Sequence, residues 1–408
     1  MIRHKRRLIW RLAFVVFSLG TLVSNSLAAL GRGLFAGALL IRGKALWRVL
    51  PRWFWCLFLI HAAWYLLAGI LSGSRAGLLA HDLSLMLLLP AGAVVSAERR
   101  LSGMVRLFLW FGVIEALAVL WHAVSGTSLA ALWEPGVRIW ADSRPSGFLR
   151  SAPTSGQVLA IIIPLTVFFR ARHPAERLAL IAAGLLMGSA MILTETRSAW
   201  VSAAVLLFAA GIARFGWKRI VPAFAVAGVL VWVFLPSGLR DRAASIIDTE
   251  SGWARCRTVL WLSGAKLGQD NPLVGVGPGR FGQVYRRDSL PAALESEAGR
   301  RLTPAERADV ARHAHPHNDA VQAWAATGIP GLVLFLALGA AVGFAGLRDI
   351  GRVPSAGRER EDIHQAGLLI FAGAVLVGIV DQSAFDPVRG NLFWLSAGLA
   401  SGRALTAR

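Results

Sequence analysis

RLALIAAGLLMGSAMILTETRSAWVSAAVLLFAAGIAR, from Arg177 to Arg214, decides the fold class. Two apolar runs, 177–193 and 198–214, flank a short polar break that holds Glu195 and Arg197. Each run approaches the roughly 17–25 residues that a helix needs to cross a bilayer. Arginines close the pair at both outer ends, Arg177 on one side and Arg214 on the other. By the positive-inside tendency those ends belong on the cytoplasmic side, and the Glu195/Arg197 break on the far side.

The same pattern recurs along the chain. Hydrophobic residues make up 55% and charged residues 16% of the 408, with a mean hydropathy of +0.56. Soluble domains carry about 25% charged residues. Further helices are expected at 8–23, 27–41, 51–71, 76–95, 103–125, 154–169, 219–236, 330–347, 363–380 and 391–405, with Ser24-Asn25-Ser26 dividing the first two. The formal net charge of +20 would suit nucleic acid. Its arginines and lysines are instead spread over short loops, such as Arg99/Arg100, Arg170/Arg172 and Arg348/Arg352, so they read as topology signals and no nucleic-acid partner is expected. The expected fold is all-α, a polytopic membrane protein of about 12 transmembrane helices with both termini cytoplasmic. Residues 1–236 would hold helices one to nine with an outer segment at 126–153. Residues 237–318 would form a long helical periplasmic loop, and 319–408 a short outer helix and the last three membrane helices. Within the long loop, LTPAERADVARH (302–313) predicts a helix with Thr303 as N-cap and Pro304 at its first position. Cys56 and Cys256 occupy different environments, which predicts no disulfide and no cysteine metal motif.

With this topology the informative polar residues share one side of the membrane. They are Arg144 and Arg150, Glu195 and Arg197, Arg255 and Arg257, His313, His315 and His317, and Asp381, Asp386 and Arg389. Ionisable groups beside hydrocarbon are costly, so such a gathering points to an outward-facing polar site. The alternating histidines raise the question of a metal. Pro316 disfavours helix at His315, no cysteine is near, and no clear carboxylate completes a ligand set, so no metal is expected. His317 stands apart because Asn318 is a plausible N-cap for a helix that starts directly after it. Pro330 then opens the next apolar run, with Gly328 and Gly331 permitting a bend. That puts an imidazole at the edge of a short outer helix, where it can act as a base. GVGPGRF (275–281) has Arg280 where a dinucleotide fingerprint needs its third glycine, so a turn is expected there.

At this point the chain resembles the O-antigen ligase family, within the wider group of O-antigen ligases and polymerases. The family pattern is a histidine followed by Asn, Ser or Gln, then nine residues, then Gly-x-x-Gly. His317-Asn318, residues 319–327 and Gly328-Ile329-Pro330-Gly331 fill it. TETRSAW (194–200), RTVLW (257–261), NPLVGVGPGRF (271–281) and RPSGF (144–148) support it in order and spacing. The resemblance implies an all-helical, metal-independent enzyme without cofactor, similar to C-type glycosyltransferases, in the bacterial inner membrane with a periplasmic site. It implies transfer of a glycan from undecaprenyl diphosphate to a hydroxyl of the lipid A-core, with inversion. His317 matches the family's base. Arg197 and Arg257 match its diphosphate-binding arginines, although Arg255 stands only two residues from Arg257. Arg144 is a further candidate for the diphosphate, Asp381 for orienting His317 or an arginine, and His315 for a substitute base, with Asn318 in support. The same motifs leave open an O-antigen polymerase or a protein O-oligosaccharyltransferase. A flippase or transporter is the alternative from another class, and it would call for charges near the midplane and inverted repeats, neither of which is visible.

Overall fold

A computed structural model describes residues 2–23, 25–98, 106–132, 144–169, 171–246, 248, 250–348 and 358–402. Arg99, Arg100, Arg170, Arg352 and the middle of the outer segment, 133–143, lie outside the described residues. The described residues form helices joined by turns and loops, without strands. Hydrocarbon offers backbone N–H and C=O groups no water, so an apolar run crosses it as a helix that pairs them internally. Nine helices among the described residues are long and apolar enough to cross, including Arg52–Leu71, Leu107–Ser125, Pro174–Leu193, Arg197–Phe215, Trp217–Phe234 and Asp319–Arg348. The protein is therefore an all-α, multi-pass membrane protein. The expected twelve exceed these nine because three apolar runs give shorter apolar stretches of helix. Leu8–Thr21 is one such stretch, the apolar part of the helix Ile2–Val23, and Ala152–Phe168 breaks at Ile163 ahead of Pro164. The third, Arg389–Ser401, has 13 residues.

Burial separates the bundle's centre from its margin. Every residue of Arg389–Ser401 and of Leu88–Ala97 is buried, and these two helices pack on each other. Trp217–Phe234 has no buried residue. Its valines, Leu230 and both tryptophans, Trp217 and Trp232, face outward, as lipid contact requires.

The segment from Ser237 to Asn318 folds over one end of the bundle and has a core of its own. Its longest helix, Gly252–Asp270, packs on Asp319–Arg348. Phe281 and Tyr285 stack with centroids 5.1 Å apart, and the Tyr285 hydroxyl donates to the Val310 carbonyl at 2.9 Å. The 302–313 motif gives the helix Pro304–Arg312, closed by a capping box between Thr303 and Glu306.

A kink joins this cap to the membrane. Inside Asp319–Arg348, Gly328 adopts φ 70° and ψ −173°, and Pro330 has no N–H to give the preceding turn. The carbonyls this frees are met from outside the helix. Val276 N–H donates to Ala325 O at 2.8 Å, Gly277 N–H to Ala326 O at 3.1 Å, and Trp64 Nε1 to Thr327 O at 2.9 Å. Ile329 N–H turns to Pro272 O at 2.8 Å. The 271–279 segment, expected as a turn, thus acts as a backbone splint across the bend. A Cβ on Gly328 would lie 2.2 Å from Leu273 O. Gly328→Ala is expected to cost about 1–3 kcal/mol from φ alone, with further loss as the splint is pushed away. A lowered melting temperature and faster proteolysis of the cap would register it.

Candidate active site

His317 is two residues ahead of the outer helix, and its backbone is left-handed at φ 53°. Non-glycine residues hold that conformation only where neighbours fix it. The neighbours here are specific. Asn318 Oδ1 accepts the Val321 N–H at 2.9 Å, the N-cap bond of the helix, and Asn318 Nδ2 donates to Ile379 O at 2.7 Å. Trp261 Nε1 donates to the His317 carbonyl at 3.3 Å. Asp319, buried at the first helical position, accepts the N–H groups of Ser383 and Ala384, both at 2.9 Å. The loop after Ile363–Val380 is thereby tied to the helix start, which brings Asp381 to His317.

His317 Nδ1 lies 2.7 Å from Asp381 Oδ1. A carboxylate only accepts, so Nδ1 carries the proton and Nε2 keeps its lone pair. Nε2 is buried and has no hydrogen-bond partner among the described residues. Asp381 is held in turn from its other side. Arg389 Nη1 donates to Oδ2 at 2.8 Å, Gln157 Nε2 donates to it at 3.0 Å, and Gln382 N–H donates to Oδ1 at 2.7 Å. Arg389 also pairs with Asp386 at 2.9 Å and bonds the Gln157 side-chain oxygen. Burial alone would raise the Asp381 carboxyl. The Arg389 charge, then His317 and Gln157, outweigh it and hold that group well below the usual carboxylate range.

Gln157 also donates to Ser198 Oγ at 2.9 Å, linking the Asp381 loop to the start of Arg197–Phe215. Arg197 Nη1 donates to Ser245 at its carbonyl (3.0 Å) and its hydroxyl (3.1 Å). The charges of Arg242, Arg257 and Arg144 all act on Arg197. Arg144 is positioned by the RPSGF segment, which hangs from His122 through Ser146 and from Glu115 through the Phe148 N–H, at 2.9 and 3.0 Å. Its Nη1 donates to Glu195 O at 3.4 Å.

Arg255 and Arg257, adjacent in sequence, have different surroundings. Arg255 bonds Glu250 O at 2.6 Å and lies 3.8 Å from Glu306 in the cap. Arg257 stands one helical turn before Trp261, on the same face, and feels the Asp381 charge. Among the described residues its guanidinium makes no hydrogen bond or ion pair, and burial lowers its proton affinity.

One expectation needs correction. A carboxylate does stand beside the histidines, because His315, His317 and Asp381 each offer a donor atom within 4.8 Å of the others. Asp381 comes from a loop remote in sequence, which spacing could not reveal. Both of its oxygens already accept two N–H donors, one of them a buried guanidinium, so the set suits a hydrogen-bonded base better than a cation. His315 packs against His317. Its ring centroid lies 4.3 Å from that of His317 and its Nδ1 is buried without a partner among the described residues. Burial, then the neighbouring His317, push it down to about 3. The unfolded chain takes up a proton at this site below about 6.5. Its contribution to stability is therefore complete above that pH and declines as pH falls from 6.5 toward 3. Melting temperatures measured between pH 7 and 5 should fall less steeply in His315→Gln than in the wild type.

Arg389 lay among the polar outer residues without an assigned part. Gln157 and Arg242 were not singled out. A lone Gln in the apolar run APTSGQVLAII was the available signal for Gln157, and Arg242 had none. No curated protein matches the chain. Residues 182–336, the segment that carries Arg197, Arg257 and His317, match the O-antigen ligase family model.

Proposed function

We propose that the protein is an O-antigen ligase that transfers a glycan from undecaprenyl diphosphate to a hydroxyl of a lipid A-core oligosaccharide. The observation that carries this reading is the His317–Asp381 pair, whose Nε2 has no hydrogen-bond partner among the described residues, together with Arg257, which feels the Asp381 charge and makes no ion pair among the described residues. A sugar hydroxyl is a weak nucleophile, so His317 Nε2 takes its proton as the oxygen attacks the anomeric carbon. Asp381 keeps the reactive tautomer and stabilises the imidazolium that forms. The bond from the anomeric carbon to the diphosphate oxygen breaks, and its electron pair leaves with undecaprenyl diphosphate. Arg197, Arg257 and Arg144 neutralise the charge that grows there, through the planar donor forks that suit phosphate oxygens. His315 adds a neutral ring against His317, and Asn318 fixes the backbone that presents the base.

Charge asymmetry supports an inner-membrane orientation with both termini cytoplasmic and the site at the periplasmic face. The polyprenyl chain then lies among lipid-facing helices, while the glycan and the acceptor meet under the cap. Proton removal and departure on opposite faces of one carbon make a single displacement. The test is the anomeric configuration of the product by NMR, with the acceptor supplied or omitted. Inversion on the lipid A-core is expected. Retention would contradict the single displacement. Lengthening of the lipid-linked glycan when the core is omitted would make the protein a polymerase.

A further inference from the structure

Glu195 sits in the break between Pro174–Leu193 and Arg197–Phe215 with φ 50°, a left-handed conformation uncommon outside glycine. Its carbonyl oxygen accepts from two guanidinium groups that arrive from distant parts of the chain. Arg144 Nη1 is 3.4 Å away and Arg242 Nε is 3.2 Å away. Arg242 belongs to the Ser237–Ala244 helix at the start of the cap. The next residue, Ser245, accepts both bonds from Arg197 Nη1, and its hydroxyl donates to Arg242 O at 2.7 Å. Two carbonyls therefore lock Arg144, Arg197 and Arg242 together, with Arg257 near enough for its charge to act on Arg197.

The charges of Arg197, Arg242 and Arg257 repel one another, and among the described residues Asp248 acts on Arg197 against them. Among the described residues, Arg197, Arg242 and Arg257 make no ion pair. Such a group is stable in company with an anion of more than one charge. We propose that Arg242 is a fourth donor to the donor lipid's diphosphate, aimed by the Glu195 carbonyl. Its Nε is engaged by that carbonyl, and its terminal nitrogens have no partner among the described residues. The same carbonyl aligns Arg144, so the strained turn at Glu195 sets the spacing of two phosphate contacts at once. The inference rests on the reading of this site as diphosphate-binding.

The test is binding of undecaprenyl diphosphate to the purified full-length protein in detergent, together with donor and acceptor KM. Arg242→Ala is expected to raise the donor Kd and KM about tenfold, as befits a charge-assisted hydrogen bond. The acceptor KM and the melting temperature should hold. Arg242→Lys keeps the charge but cannot bond Glu195 O and a phosphate through one fork, so its loss should be smaller. Wild-type affinity in Arg242→Ala overturns the inference and leaves the proposed function standing. An equal loss of donor and acceptor affinity with a lowered melting temperature, unrelieved by lysine, makes Arg242 structural and overturns it too. Failure of the wild type to bind undecaprenyl diphosphate removes the proposed function, and the inference with it.

Discussion

His317→Ala is expected to lower kcat for glycan transfer by about 10²- to 10⁴-fold, the range a positioned general base supplies. Donor affinity should change little, because the arginines proposed to hold the diphosphate lie on other segments. The size of the effect follows from how completely the imidazole is prepared. The Asp381 bond fixes which nitrogen carries the proton, and the Trp261 and Asn318 bonds fix the backbone. Ordering that costs nothing at the moment of reaction is what separates a catalytic base from water. Turnover and donor Kd measured on the same preparation check the split. A kcat equal to that of the wild type would take His317 out of the chemistry and turn attention to His315, whose ring is its neighbour.

Asp381→Ala should act twice. The Asp381 and Arg389 side chains are 8% and 6% exposed, and breaking a buried ion pair from one side costs about 3–5 kcal/mol. Asp386 remains on Arg389 Nη2, which puts the expected loss at the lower end of that range. The second effect is on the base. Without the carboxylate, His317 has no group that selects its tautomer, and the imidazolium formed during transfer has no counter-charge. Asp381→Asn separates the two effects. Its amide preserves the packing but can donate to Nδ1, which would put the proton on Nε2 and block the base. Asp381→Asn should therefore keep more of the melting temperature while losing transfer nearly as fully as His317→Ala. Because both residues act as one unit, the double variant should lose little beyond either single one.

The membrane helices were legible because the bilayer imposes one rule on every crossing segment. Long apolar runs, closed by arginine, have almost no other structure open to them. The bend was legible in outline from Gly328 and Gly331, with Pro330 opening the run beyond it. The partner that repairs it was not, since a backbone splint from 271–279 depends on carbonyl groups that no side-chain pattern advertises. Helical spacing places Arg257 on the Trp261 face, a relation present in the sequence itself, whereas the Glu250 and Glu306 contacts of Arg255 are visible only in the structure. Asp381 was visible as a candidate and its contacts were not, because a loop far along the chain can approach any outer segment. Gln157 and Arg242 show the harder case. Each acts through contacts between elements distant in sequence, and neither belongs to a local motif.

One reconstituted reaction tests the central claim most directly. Purified protein is mixed with undecaprenyl-diphosphate-linked glycan and lipid A-core in the presence of EDTA, and released undecaprenyl diphosphate is counted against glycan-bearing acceptor. The wild type should release one diphosphate per glycan transferred, and both products should fall together, by about a hundredfold or more in His317→Ala and markedly in Arg257→Ala. Transfer that stops with EDTA, or that persists undiminished in His317→Ala, would contradict the account.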